Sequence, residues 1–169
     1  NGNSATVAYL AVGSNLGDRA RHCYDAIAMI STHPEIMLTK ISRLIETAPV
    51  GGPADAPPFL NGSMEVQTTL GSHALLHELL KIERLLGREN GEKNAPRIID
   101  LDLLLYGEKI VSSDELIVPH PMMHQRRFVL EPLAAIAPDA VHPTLQMTIQ
   151  GLLDSLDGTG NPSRLSAMV

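Results

Sequence analysis

The sequence predicts an α+β fold: an antiparallel sheet laid out strand, helix, strand, strand, helix, strand, with extra helices at the C-terminal end. Three observations predict it. Apolar, β-favouring runs stand at 6–13, 36–46, 59–69 and 98–106. Between the first two of these runs, and again between the last two, apolar residues recur at helical spacing. The breaks between these segments are rich in Gly, Pro, Asn and Ser.

Residues 6–13, "TVAYLAVG", open the chain as a strand, and Gly13-Ser14-Asn15 supplies a turn and a helix N-cap. Leu16, Ala20, Cys23, Ile27 and Ile30 then form one helical face. "IMLTKISRLIE" (36–46) alternates as a strand, "TAPVGGPADAPP" (47–58) is a loop too long for a simple turn, and "FLNGSMEVQTT" (59–69) is the next strand. Ser72 caps a helix whose core face is Leu75, Leu79, Ile82 and Leu86, ended by Gly87. After the polar stretch "RENGEKNAP" (88–96), residues 98–106 form a strand, and Gly107 starts a hairpin into "KIVSS". "LIVPHP" is extended, and 126–137 and 148–156 are short helices. This order is the split βαβ or ferredoxin-like βαββαβ plan, whose sheet keeps one face partly open. With no repeat or linker, residues 1–169 read as a single domain.

Composition narrows the function. The chain is 44% hydrophobic and 19% charged, ordinary for a water-soluble globule, and no apolar run is long enough to span a bilayer. The N-terminal apolar run has no basic flank and reads as a strand rather than a signal peptide. A net charge of −6 without a Lys/Arg run excludes a nucleic-acid footprint and favours a bridging cation for any anionic substrate. The one cysteine, Cys23, cannot form an intrachain disulfide, supplies no thiolate zinc site, and fits the reducing cytoplasm.

The chemistry concentrates in "APRIIDLDLLLY" (95–106). On a strand Ile99, Leu101, Leu103 and Leu105 point into the core, while Asp100 and Asp102 point together the other way, Cα atoms ~6.7 Å apart. Buried, uncompensated carboxylates are costly. Hard oxygen donors at this spacing suit Mg²⁺, which completes its shell with water and substrate phosphates; the spacing alone equally fits two solvated acids. Arg97, beside a polar loop bearing Arg88 and Lys93, tips the balance towards a polyphosphate ligand, although Arg97 alone fits a structural ion pair.

Other motifs carry less. "GSNLGDR" (13–19) lacks both the GK[ST] ending and the G-x-G-x-x-G spacing, so it is a tight turn rather than a phosphate loop. His73 and His77 lack a third ligand and read as solvated helix residues. Glu83, one position past the apolar stripe, fits either a core or a site. "VPHPMMHQRRF" (118–128) gathers His120, His124, Arg126, Arg127 and Phe128 without a defined pattern.

Taken together, the residues from about 6 to 145 resemble the 6-hydroxymethyl-7,8-dihydropterin pyrophosphokinase family. Its most specific element is basic-x-small-Pro-Arg-x-x-Asp-apolar-Asp-apolar-apolar, matched from Lys93 to Leu104. "AVGSNLGDR", "ETAPVG", "FLNGSMEV", "IERLLGR", "VPHP" and "RRFVLEPL" follow in the family's order. The resemblance implies transfer of pyrophosphate from MgATP to the hydroxymethyl group of the pterin, with release of AMP, in folate biosynthesis. It implies that Asp100 and Asp102 hold two Mg²⁺ ions, that Arg88 and Arg97 act with them in catalysis, and that Arg88, Lys93, Arg97, His120 and Arg126 contact the ATP phosphates, with Glu83 lining the nucleotide site. Phe59 and Phe128 would sandwich the pterin ring, Asn61 would read its edge, and Thr47 and Val50 would present backbone groups to it. The implied partners are small molecules alone, handled by a monomer. Two departures stand out: Asn94 and Asn90 occupy a loop where the family often carries Trp and a second Arg, and Pro121 replaces a common aromatic.

Overall fold

The computed structural model describes residues 4–47, 58–87, 98–157 and 164–167. Ten strands and four α-helices alternate along these residues, and six of the strands form one antiparallel sheet. Strand β1 (Thr6–Ser14) lies between β4 (Phe59–Thr68) and β5 (Asp100–Tyr106). Beyond β4 lie both β2 (Ile36–Ile41) and β3 (Ile45–Thr47), and β10 (Arg164–Ala167) pairs with β3.

Helices α1 (Arg19–Ser31) and α2 (Ser72–Gly87) cover one face. Their apolar stripes meet Ala8, Leu10 and Val12 of β1 and Met64 and Val66 of β4 in the larger core cluster. Cys23 is part of that core, and burial pushes its thiol up to about 12, which leaves it an inert apolar filler. On the opposite face α3 (Arg127–Ile136) and α4 (Ile149–Asp157) build a second cluster with Leu104, Leu105 and Met123, and Tyr9, Ala11 and Phe128 pack against it. That face is therefore covered at one end, and only the other end remains open. Among the described residues no helix is long and apolar enough to cross a membrane.

Several boundaries depart from the sequence-based expectation. The N-cap of α1 is Asp18, whose side chain accepts from the Arg21 N–H at 3.2 Å, rather than the Ser14-Asn15 turn; Ser14 still belongs to β1. Helix α2 begins at Ser72 itself, with the Gly71 carbonyl accepting from the Leu75 N–H. The 36–46 strand is broken at 42–44, where Leu44 folds down so close to Gly62 that a Cβ on that glycine would lie 2.7 Å from the leucine side chain. Gly107, at φ 53°, does turn the chain, but Val111–Ser112 (β6) pairs with Ile117–Val118 (β7) in a separate small sheet instead of returning along β5. A further hairpin joins Val141–His142 (β8) to Met147–Thr148 (β9).

The most instructive departure lies in β5. The expected alternation places Leu101, Leu103 and Leu105 on one face. Leu101 and Leu103 do enter the larger cluster, but the register against β1 shifts between Tyr9 and Leu10, so that Leu103 faces Leu10 and Leu105 faces Tyr9. Leu104 is the extra residue of a β-bulge, and Leu104 and Leu105 both join the second cluster while Tyr106 returns to the first. Below the bulge the alternation is intact, and that is where the two aspartates stand.

Candidate active site

The floor of the site is a row across three strands. Gly13 of β1 lies opposite Asn61 of β4 on one side and opposite Asp100 of β5 on the other; one step along, Ala11 lies opposite Ser63 and Asp102. Small residues between the carboxylates and the amide leave open volume above the sheet. The demand on Gly13 is strict, since a Cβ there would lie 2.8 Å from Asn61 Oδ1. Asn61 is buried, and its Nδ2 donates to Thr47 Oγ1 at 2.9 Å, so the amide is held in one orientation over Gly13. Phe59 starts β4 directly opposite Thr47.

The far wall comes from the segment ahead of α3. A 3-10 turn (Met123–Gln125) buries Met123 in the second core and leads into Arg126, whose extended backbone starts the helix. The Arg126 guanidinium carbon stands 5.7 Å from the centre of the Phe128 ring, a cation–π distance. The result is a cavity of about 620 Å³ that brings together Thr47, Phe59, Asn61, Asp100, Asp102, Arg126 and Phe128. Its lining also includes Met122, Gln125 and Arg127, which sequence reasoning did not single out as ligand contacts; their only signal was membership of the basic "MMHQRRF" segment.

Asp102 belongs to two cavities. On its outer side a second one, of about 300 Å³, lies between α2 and the 114–121 segment, and Asp102, Glu83 and His120 line it with Leu76, Leu80 and Leu116. Glu83 is 1% exposed, and its Oε2 accepts the Leu101 N–H at 2.7 Å. Leu101 sits between the two aspartates on an edge strand whose outward N–H groups need partners, so this carboxylate fixes the backbone that aims the pair. Further along the same edge the His120 N–H donates to the Leu104 carbonyl at 3.0 Å. The Nδ1 of His120 accepts from the Met122 N–H at 3.3 Å, which leaves Nε2–H as the donor of the neutral ring. Burial lowers the pKa of His120; the Asp102 carboxylate pulls it back up and Arg126 pushes it further down.

The other candidates fall outside this arrangement. His73 and His77 meet Ser113 Oγ at 3.1 Å and Glu115 Oε2 at 2.8 Å and fasten the outer wall of the second cavity to α2. The "GSNLGDR" turn holds no phosphate cradle; Ser14 Oγ donates to the Ile98 carbonyl and ties β1 to the start of β5. Val50, Arg88, Lys93 and Arg97 lie outside the described residues.

The donor set fits Mg²⁺. Asp100 is half-buried, Asp102 is exposed, and the buried Leu101 between them confirms that both point to the same face. Among the described residues no group of three or more His, Cys, Asp or Glu side chains is placed to enclose an ion. A pair of carboxylates with the remaining positions open is what a cation needs if water and substrate oxygens are to complete its shell.

An open sheet end thus carries paired carboxylates, with one cavity on each side and Asp102 lining both. The chain belongs to the 7,8-dihydro-6-hydroxymethylpterin-pyrophosphokinase (HPPK) family, whose model matches residues 9–138. It is 43% identical over 130 residues to the 2-amino-4-hydroxy-6-hydroxymethyldihydropteridine pyrophosphokinase of Bacillus subtilis, with 77% of each chain covered. The enzyme of the same name from Methylorubrum extorquens is 39% identical over 155 residues, covering 92% of this chain and 96% of that one. The fold is also that of a Plasmodium falciparum HPPK-DHPS chain, with a TM-score of 0.70 at 16% identity, over 92% of this chain and 46% of the other. Some curated relatives are much longer, and this chain spans only 20–24% of them.

Proposed function

We propose that this protein transfers the pyrophosphoryl group of MgATP to the hydroxymethyl group of 6-hydroxymethyl-7,8-dihydropterin, releasing AMP, as a step of folate biosynthesis. Family membership and the two named pyrophosphokinases support the reaction. The observation that carries the site assignment is that Asp102 lines both cavities, so a group bound at the aspartates touches what occupies either one.

The larger cavity takes the pterin. Phe59 and Phe128 line it and would stack on the flat ring, while Asn61, anchored on Thr47, offers hydrogen bonds to its edge. The smaller cavity, between α2 and the 114–121 segment, takes the nucleotide, with Glu83 and His120 along it. Asp100 and Asp102 would hold two Mg²⁺ ions, which would supply charge neutralisation for the polyphosphate. Arg126, which lines the larger cavity beside Phe128, is assigned to the ATP phosphates on the family motif, and neutral His120 donates to phosphate oxygen through Nε2–H. Arg88, Lys93 and Arg97 are assigned to the phosphates, and Val50 to the pterin, on the family motif. In the reaction the pterin hydroxyl oxygen bonds to the β-phosphorus, the α–β bridge breaks, and the hydroxyl proton leaves to solvent. The protein's share is positioning and charge stabilisation.

The antiparallel order β5–β1–β4–β3 supports a ferredoxin-like plan. The two core clusters sharing one sheet support a single domain over 1–169. We take it to act as a monomer, as the family resemblance implies, and in the cytoplasm, where a lone buried thiol stays reduced.

The test is AMP formation from MgATP with and without the pterin, beside the Asp100→Ala/Asp102→Ala variant and an EDTA control. Pterin-dependent AMP that disappears in both controls is expected. ADP as the product would replace this reading with a simple phosphoryl transfer.

A further inference from the structure

The first residue of α1 reaches the pterin cavity without lining it. Arg19 Nη1 donates to the Pro58 carbonyl at 2.7 Å, and Nη2 stands 3.0 Å from Glu46 Oε2. Pro58 precedes Phe59 and Glu46 precedes Thr47, and Thr47 and Phe59 face each other across the β3–β4 ladder as two walls of the larger cavity. One planar guanidinium therefore grips the sheet where β3 ends at Thr47 and β4 begins at Phe59. Its own base is rigid: α1 starts at Arg19 and is seated in the core through Cys23, Ala26 and Ile30. The arginine and the glutamate side chains are only 23% and 22% exposed.

We infer that Arg19 is a positioning residue for the pterin: its fork to Pro58 and Glu46 sets the spacing of Thr47 and Phe59, and through Thr47 the orientation of the Asn61 amide. This inference rests on the assignment of the larger cavity to the pterin. An isolated ion pair near the surface contributes little to stability. What the fork supplies is geometry, two donors in one plane bound to two segments at once, which a lysine ammonium cannot reproduce. The nucleotide side, built on α2 and the 114–121 segment, does not touch it.

The test titrates the pterin by its own fluorescence into the protein and measures the KM for ATP alongside, for Arg19→Met, Arg19→Lys and Glu46→Gln. Arg19→Met should weaken pterin binding about tenfold through misplacement of the wall, leave the KM for ATP within about twofold, and hardly move the melting temperature. Arg19→Lys should fall between Arg19→Met and the parent. Glu46→Gln keeps an acceptor and should lose less than Arg19→Met. Unchanged pterin affinity in Arg19→Met would overturn the inference. So would equal losses for pterin and ATP accompanied by a lower melting temperature, which would mark Arg19 as merely structural. Failure of the parent protein to bind the pterin at all would overturn the assignment of the cavity, and this inference with it.

Discussion

The two aspartates are legible in the sequence because strand periodicity is a strong constraint: in "IIDLDLL" the acids fall on one face whichever way the strand packs. The residues that make room for them are not legible that way. Gly13 and Ala11 are neighbours of Asp100 and Asp102 only through the β1–β5 register. Gly13→Ala would place a methyl 2.8 Å from Asn61 Oδ1, where something must move. We expect it to swing the amide off Thr47 and weaken pterin binding about tenfold, measured by fluorescence titration, with the fold intact by circular dichroism. Neither Gln125 nor Met122 has a side-chain type that announces a ligand, so their place in the cavity is a product of the 3-10 turn that carries them.

At the scale of the element, the sequence places the strands and helices in the right order but not their irregularities. The run Leu103-Leu104-Leu105 is uniformly apolar, so nothing in it reveals a bulge that sends Leu105 to the opposite face from Leu103. Such a slip is invisible when both faces of a strand are buried. Glu83 stayed ambiguous for a related reason: only the edge position of β5 explains why a carboxylate is buried beside an apolar stripe. Removing it in Glu83→Ala strands the Leu101 N–H, which should cost about 1–3 kcal/mol in urea unfolding. Glu83→Gln, which keeps an acceptor, should lose less. The outer wall of the smaller cavity, to which we assign the nucleotide, is tied to α2 by the His77–Glu115 contact at 2.8 Å. His77→Ala should therefore raise the KM for ATP by a few-fold and leave pterin binding unchanged, in contrast to Arg19→Met.

At the scale of the whole molecule, covering the second sheet face with α3 and α4 is what confines the site to one end of the sheet; away from it, in the β8 hairpin, His142 is buried as well. Burial and the nearby His124, whose ring centre is 6.3 Å away, lower the pKa of His142. A histidine whose folded pKa lies below its unfolded value of about 6.5 binds more protons when unfolded, so its contribution to stability is complete above that value and is lost as the pH falls through it. Stability against urea should therefore fall between about pH 7 and about pH 5. His142→Asn, whose amide oxygen can still accept the Leu145 N–H now held by Nδ1, should flatten that fall. The sequence could not supply this, because His142 lies in a short hairpin with no motif around it. The central claim remains that two substrates meet over one strand, and the most direct measurement is single-turnover AMP formation by Asp102→Asn with saturating MgATP and pterin, with pterin affinity and melting temperature determined on the same sample. The account predicts a rate lowered by about 10³-fold, with the fold retained and pterin affinity within about twofold. A rate close to that of the parent protein would contradict it.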